Sequence, residues 1–158
     1  MDEGLEVLTG LWGGQPFNFS GKHYQIKEAT FFPPQPPLQM PRIPIWVVGA
    51  WPYPKSMQRV VKYDGLLPAR LNDKGAFEKV TPADLREMAA WITQKRQLST
   101  PFDIVVEGET QATEREKNTA LMQEWKEAGA TWWIEASWTE PDLYKALKRI
   151  KDGPPEIS

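Results

Sequence analysis

Two glutamates follow apolar runs in the second half of the sequence. Glu107 closes the segment DIVVEG, after Ile104–Val106, and Glu135 follows the run Trp132–Ile134. Short apolar runs are typical of strands that are buried on both faces, so each carboxylate is expected at a strand end. There it could orient a substrate or transfer a proton. The alternative is that both are ordinary solvated residues.

Several other kinds of catalytic site are excluded by residue type. The chain has no cysteine and one histidine, His23, which falls in a predicted hairpin turn. A lone histidine cannot build a histidine-based metal site or a Ser-His-Asp triad. The Gly-x-Gly-x-x-Gly motif, the phosphate-binding lysine loop and zinc-ligand spacings are also missing. We therefore predict no metal site, and we interpret His23 as structural or solvent-exposed.

The composition is that of a soluble globular protein of one domain, residues 1–158. The 158 residues are 41% hydrophobic and 25% charged, with a formal net charge of -2. Interspersed charges argue against a nucleic-acid or membrane surface. The acidic start MDEGLEVL is not typical of a signal peptide, and the absence of cysteine fits a reducing compartment. A cytoplasmic location is expected.

The first part of the chain predicts a helix, a hairpin and a connector. Residues 1–14 form the helix, with its apolar face on Glu3–Trp12, and residues 15–44 form the hairpin and a proline-rich connector. Proline fixes φ and lacks an N–H, so the connector cannot be a helix or a central strand.

Residues 45–158 predict four β/α units. Alternating strands and helices indicate a parallel sheet with right-handed crossovers, either an open doubly wound sheet or part of a (β/α)8 barrel. Helix starts are predicted at Thr81-Pro82, at a capping box of Thr113 and Glu116, and at Thr139 and Asp142. The last helix is predicted to present Leu143, Leu147 and Ile150 on its apolar face. The predicted strands are Ile45–Val48, Gly65–Leu67, Ile104–Val106 and Trp132–Ile134.

Several separated motifs resemble, in order, the C-terminal half of a bacterial-luciferase-like flavin-dependent oxidoreductase. They are MDEGLEVLTGLWGGQPFNFSGKHYQIKEATF, IPIWVVGAWP, YDGLLP, FDIVVEGET, AGATWWIEA and RIKDGPP. The resemblance implies half of a (β/α)8 TIM-type barrel, strands five to eight, with an N-terminal helix and an inserted hairpin. The first four strands would be absent. It also implies FMN or the deazaflavin F420 as cofactor, in a monooxygenase or a hydride-transferring oxidoreductase.

The resemblance places a flavin near the segment GAWP. Ligand loops of a barrel follow the C-terminal ends of its strands, where small residues let backbone approach a cofactor. The family often has Gly-Gly here, whereas this chain has Gly49, Ala50 and Trp51. Lys55 and Ser56 begin the next helix and could contact a flavin phosphate; the alternative is a plain helix start.

Three further residues are phosphate candidates by position in such a barrel. Arg70 comes just after GLLPA, and Gly108 and Thr110 come after the seventh strand, where barrels often bind phosphate. A lone surface arginine is the alternative for Arg70. The neighbouring Glu107 and Glu109 would repel an anion at the second position.

A half barrel would leave its axial face and two strand edges uncovered. Val48, one of Ile104 and Val105, and one of Trp132 and Trp133 are expected on that face. A homodimer could close the barrel, or a second chain could supply the first half; a monomer with rearranged helices is the third solution. The alternatives to an active oxidoreductase are a flavin-binding module without turnover and a non-catalytic or truncated remnant. The substrate is not determined by the sequence.

Overall fold

A computed structural model describes residues 1–14, 16–30, 38–40, 42–110, 114–138 and 142–154. The chain divides into two compact units, Met1–Ile45 and Trp46–Ser158. Most of the predicted proline connector lies outside the described residues, as do Thr113 and Thr139. Within the described ranges, the structure contains no helix of the length and apolarity needed to cross a membrane.

The first unit consists of a helix and an antiparallel hairpin, as predicted. Helix α1 spans Asp2–Gly13, and strands β1, Phe17–Ser20, and β2, Gln25–Ala29, pair antiparallel. The carboxylate of Glu3 on α1 accepts hydrogen bonds from the backbone N–H groups of Lys22, His23 and Tyr24 in the hairpin turn, at 2.8–3.1 Å. Hydrogen bonding to the charged form, led by the His23 N–H, lowers the pKa of Glu3. The lone histidine thus lies in the turn, where its backbone joins helix to hairpin.

The second unit is a mixed α/β structure with a mostly parallel sheet. Its strands are β3, Trp46–Trp51; β4, Gly65–Leu71; β5, Phe77–Glu78; β6, Asp103–Gly108; and β7, Trp132–Glu135. Its helices are α2, Pro54–Val60; α3, Pro82–Lys95; α4, Arg115–Glu127; and α5, Leu143–Lys151. The order β3-β4-β6-β7, with parallel pairing between neighbours, confirms the predicted order of the four apolar runs.

The short strand β5 was not predicted. It pairs antiparallel with β4 through Arg70↔Glu78 and Leu71↔Phe77. Since β3 already pairs with β4 as far as Arg70, β5 must take the other edge of β4, the edge that faces β6. A turn in which the Asn72 side chain accepts backbone N–H bonds connects β4 to β5. A strand of two residues is too short for its pattern to be recognised in the sequence.

The core lies between one face of the sheet and the helices. Met57 and Val60 of α2 pack near Leu66 of β4, while Ala89 of α3 lies close to Gly129 and Ile104. On α3, Leu85, Met88 and Ile92 are buried and Ala89 is half-buried, and Trp125 of α4 is also buried. The side chains with essentially no exposure are Met57, Val60, Leu66, Leu85, Met88 and Val105.

Two helix starts agree with the sequence and one differs. Thr81 and Asp84 form a reciprocal capping box with Pro82 at the first helical position, and Asp142 accepts N–H bonds from the first turn of α5. Helix α4 has Glu114 at its N-cap, with no side-chain cap bond. Of the predicted capping box, Glu116 lies in the first turn of α4, and Thr113 is outside the described residues.

The predicted apolar face of α5 is exposed to solvent. Leu143 and Ile150 are 76% and 74% exposed, and none of the helix residues is buried. The sequence pattern identified the stripe correctly, but nothing in this chain's described residues covers it. The periodic pattern identifies the face that a helix can bury. That face is buried only where another element of structure packs against it.

Candidate functional site at the C-terminal ends of the strands

A cleft of about 740 Å³ opens between the C-terminal parts of β4 and β6. One wall is Leu67, Pro68 and Ala69 of β4, and the other runs from Val105 to the end of β6 and on to Glu109. Clefts of roughly 300–1,000 Å³ at the carboxyl ends of parallel strands are the usual location of ligand sites in α/β proteins. The cleft is therefore the main candidate site in the second unit.

The cleft exists because β4 and β6 separate after a short contact. They pair only at Gly65↔Asp103 and Leu66↔Ile104, whereas β3 pairs with β4 along its whole length. Two features prevent further pairing along this edge of β4. Pro68 has no N–H to donate, and β5 occupies the edge farther along. The strands diverge and leave space for a ligand.

Tryptophans and apolar side chains line much of this cleft. Trp125 is buried, Trp133 is half-buried and Trp138 is 82% exposed at the rim. Among the described residues, the charged groups of the lining are the carboxylates of Glu107, Glu109 and Glu124 and the ammonium group of Lys79. The described lining thus combines aromatic walls with an excess of negative charge.

The two candidate carboxylates, Glu107 and Glu135, lie on opposite faces of the sheet. In the β6–β7 register, Glu107 is opposite Ile134 and Gly108 is opposite Glu135, so the two glutamates differ by one step of the alternation. Glu107 lines the cleft, and its Oε2 accepts a hydrogen bond from the indole Nε1 of Trp138 at 3.3 Å. Glu107 is exposed and can contact a ligand.

Glu135 instead holds loop and helix residues together. Its carboxylate accepts bonds from the backbone N–H and hydroxyl of Thr110 at 2.6 and 2.7 Å, and from Trp133 Nε1 at 3.2 Å. Arg149 of α5 forms an ion pair with it at 3.3 Å. Burial opposes ionisation, but the bonds from Thr110 and Trp133 and the Arg149 charge outweigh it, so the pKa of Glu135 is lowered. An ionised carboxylate with four donors is suited to positioning and poorly suited to accepting a proton.

Of the predicted phosphate contacts around GAWP, Ala50 and Ser56 are bonded to each other. β3 continues through Trp51, so Gly49 and Ala50 are inside the strand rather than after it. The Ala50 N–H donates to Ser56 Oγ at 2.9 Å, and that hydroxyl donates to the Val48 carbonyl at 3.3 Å. Lys55 is exposed at the start of the seven-residue helix α2.

Packing explains why residue 49 is glycine. A Cβ at Gly49 would lie 2.4 Å from Leu66 Cδ1, 2.9 Å from Met57 Sδ and 3.0 Å from Val60 Cγ2. These atoms belong to the core beneath α2, on the helix-covered face. The small residue therefore allows α2 to approach the sheet, whereas the sequence had suggested that it allows approach of a cofactor.

Arg70 lies within β4 and is already paired with acidic side chains. Its guanidinium forms ion pairs with Glu78, at 3.1 Å, and with Asp84. The hydrogen bond that Arg70 donates to Glu78, together with the charge of Asp84, raises the pKa of Arg70. The predicted phosphate contact thus links β4, β5 and α3. Gly108 is the last residue of β6, where a Cβ would lie 2.3 Å from the Trp133 ring.

One cluster of polar contacts was missed from the sequence. The Asp103 carboxylate accepts a hydrogen bond from Trp46 Nε1 at 3.0 Å and another from Trp132 Nε1 at 3.1 Å, and the two indole centroids are 5.8 Å apart. Gly65 makes room, because a Cβ there would lie 2.5 Å from Trp46 Cδ1. The two tryptophans come from the first and last strands of the order β3-β4-β6-β7, on the face opposite α2 and α3. The alternation of side chains along each strand indicates which face of the sheet each tryptophan lies on. No local pattern shows that residues so distant in sequence contact the same carboxylate.

No group of three or more potential metal-ligating side chains occurs among the residues that the structure describes.

A family model described as luciferase-like monooxygenase matches residues 1–148 of the chain. None of the curated proteins compared with the chain matches it.

Proposed function

Since the chain belongs to the luciferase-like monooxygenase family, we propose that it is the C-terminal half of a (β/α)8 barrel that acts as a flavin-dependent oxidoreductase when completed. The family typically uses a flavin or F420. The C-terminal ends of β3, β4, β6 and β7 would then form half of the active-site mouth. The chemistry would be oxidation of a small organic substrate.

The observation that carries this proposal is the uncovered face of the parallel sheet. α2 and α3 pack on one face, whereas Val48 and Trp132 on the opposite face are 55% and 53% exposed. Parallel sheets occur almost only with both faces covered or closed into a barrel. A completed barrel would bury the exposed half of each side chain, contributing roughly half of the 1.5–3 kcal/mol that full burial of a large apolar side chain gives.

The strand edges and α5 support the same conclusion. β3 and β7 end the strand order of the described sheet, so each has one edge without a strand partner. α5 follows β7 and has the exposed stripe that includes Leu143 and Ile150. In a β/α barrel the helix after a strand packs over the groove between that strand and the next. A strand beside β7 would therefore give α5 a surface to cover.

The described residues suit the ring of a flavin better than its phosphate. Apolar side chains on the uncovered face of the sheet, such as Val48 and Leu67, match one side of a flat aromatic ring. The phosphate needs cations or free N–H donors, but Arg70 is ion-paired and the Ala50 N–H is bonded to Ser56. Glu107, Glu109 and Glu124 would repel it. We infer that the phosphate is held mainly by residues that the completing half supplies.

Assembly is the first test, and the partner we propose is a second copy, with a separate chain as the alternative. Light scattering at micromolar concentration should give a dimer mass. Val48→Lys should dissociate it, because a buried ammonium in the barrel interior is unpaired. Gln94→Lys, at an exposed position of α3, is the control and should leave the mass unchanged. A folded monomer for the parent chain would exclude the homodimer, and folding without added partner would then argue against a closed barrel.

Cofactor binding is the second test. FMN and F420 are fluorescent, so titration of each with the assembled protein should quench the emission of one of them. Ala50 follows Gly49 in β3 and so faces the uncovered side of the sheet, where the ring is proposed to lie. Ala50→Leu should therefore weaken binding at least tenfold while far-ultraviolet circular dichroism stays the same, and Ala90→Leu on the exposed surface of α3 is the matched control. Absence of binding to either cofactor would contradict the proposed function and favour a non-catalytic remnant. Binding without substrate-coupled oxidation would indicate a flavin-binding module.

A further inference from the structure

The β4–β6 cleft has a chemical character that the proposed flavin chemistry does not require. It is a built cavity, formed by strand divergence and walled by apolar side chains of two strands and by Trp125, Trp133 and Trp138. Its volume of about 740 Å³ falls in the range of small-molecule sites. The aromatic walls by themselves would accommodate many ligands with a flat or aliphatic apolar part.

Charge distinguishes among those ligands. The described lining residues include the carboxylates of Glu107, Glu109 and Glu124 against the ammonium of Lys79, an excess of negative charge. A carboxylate or phosphate ligand would meet repulsion at this mouth, whereas an ammonium group would be attracted.

The tryptophan at the mouth favours the same sign of charge. Trp138 is largely exposed, and its Nε1 donates to Glu107 Oε2 at 3.3 Å, which places an indole and a carboxylate side by side. An indole beside a carboxylate can offer an organic ammonium ion cation–π attraction together with charge pairing. The apolar walls behind it, including Leu67 and Val105, would hold the rest of the ligand.

We propose that the β4–β6 cleft binds a small organic cation, an amine or quaternary ammonium compound with an aromatic or aliphatic body. As the substrate class of the oxidoreductase, this inference rests on the proposed function; as a binding property of the cleft, it does not. The body lies between the strands, and the cationic group lies at the rim near Glu107 and Trp138. Within the proposed oxidoreductase, an amine would be the oxidisable member of this class and a quaternary ammonium compound only a ligand. After the ammonium group has released its proton to solvent, the neutral amine would give up hydride from the adjacent carbon, two electrons and a proton, to an oxidised flavin or F420 and become an iminium ion.

Three small probes that differ mainly in charge test the inference. They are 2-phenylethylammonium, neutral 2-phenylethanol and the anion 3-phenylpropanoate, each titrated into the full chain. The readout is the set of indole N–H signals in a ¹H–¹⁵N spectrum, assigned by single Trp→Phe variants. The signals of Trp133 and Trp138 should shift with the cation, and those of Trp46 and Trp132, which bond Asp103 at the opposite strand ends, should not.

Charge variants measure the electrostatic part. Glu107→Gln and Glu124→Gln should each raise the Kd of the cation about two- to fivefold, as expected for exposed charge pairs, and leave that of the neutral alcohol unchanged. Glu87→Gln, an exposed carboxylate of α3 that does not line the cleft, is the matched control and should change neither.

Each alternative outcome overturns the inference. Equal or tighter binding of the anion removes the charge argument, and equal shifts at Trp46 and Trp132 move the site away from the cleft. Absence of any cleft signal shift up to tens of millimolar cation means that the cavity is not a ligand site. These results are separate from the FMN and F420 titrations, so either proposal can fail while the other stands.

Discussion

Replacing Gly49 with alanine distinguishes between the two explanations of the small residue in β3. If the glycine is required by packing, the added methyl group must displace Leu66 Cδ1, which would lie 2.4 Å away, and the nearby atoms of Met57 and Val60. If it is required for cofactor approach, the methyl group should affect ligand binding and leave stability nearly unchanged. Gly49 does not have a positive φ, so the backbone itself accepts alanine.

The expected loss follows from the contact distances. Carbon atoms pack at roughly 3.5–4.0 Å, so the Leu66 methyl group must move by about 1 Å inside a core where Leu66 and Met57 have no exposure. Such overpacking typically costs about 1–3 kcal/mol. Alanine also reduces the entropy of the unfolded chain, which offsets about 0.4–1 kcal/mol. We expect a net decrease of about 1–2 kcal/mol in the free energy of unfolding.

Urea denaturation followed by circular dichroism measures this change. Gly4→Ala is the control, because a Cβ at Gly4 meets no atom within 4 Å and alanine favours the helix there. Leu66→Ala alone should cost about 2–5 kcal/mol. Combined with Gly49→Ala it should cost less than the sum of the single changes, since the truncated side chain makes room for the methyl group.

An unchanged free energy of unfolding for Gly49→Ala would refute the packing explanation. Additive effects in the double variant would refute it as well, because they would show that the methyl group and Leu66 do not compete for space. Intact stability together with lost FMN or F420 binding would restore the cofactor explanation.

The remaining predictions concern two buried or half-buried acidic groups. Burial opposes ionisation of Asp84, but the hydrogen bonds from Thr81 and the charge of Arg70 outweigh it, so the pKa of Asp84 is lowered. The ionised carboxylate therefore stabilises the fold at pH values above the ordinary aspartate range. This stabilisation is lost as the pH falls through the folded-state pKa. Asp84→Ala should therefore lower the free energy of unfolding by about 1–2 kcal/mol at neutral pH, and the loss should become smaller in acid. Urea titrations at several pH values measure it, and a loss that stays constant with pH would contradict the prediction. Asp103→Ala should remove both indole bonds, shift the N–H signals of Trp46 and Trp132 alone, and lower the free energy of unfolding by about 1–2 kcal/mol. Unshifted indole signals would show that the bonds do not exist in solution.

Local pattern was sufficient for the elements and their order. The apolar runs predicted the four parallel strands, and Thr81-Pro82 and Asp142 marked helix starts, because capping and periodicity depend on neighbours within a few residues. The family could also be recognised, since its motifs are spread along the chain in order. The positions of Glu107 and Glu135 at strand ends were predicted correctly for the same local reason.

The roles of individual site residues depended on contacts between distant segments. The cleft arises where Pro68 and the unpredicted β5 keep β6 from pairing with β4, and Trp46 meets Asp103 across 57 positions of sequence. Glu135 is saturated by donors from a loop and from α5, whereas Glu107 is left facing the cleft. A residue type specifies what a side chain can bond, but its partners are set by which strands pair and where they separate. In this chain the tertiary structure therefore decided which carboxylate is available for a ligand.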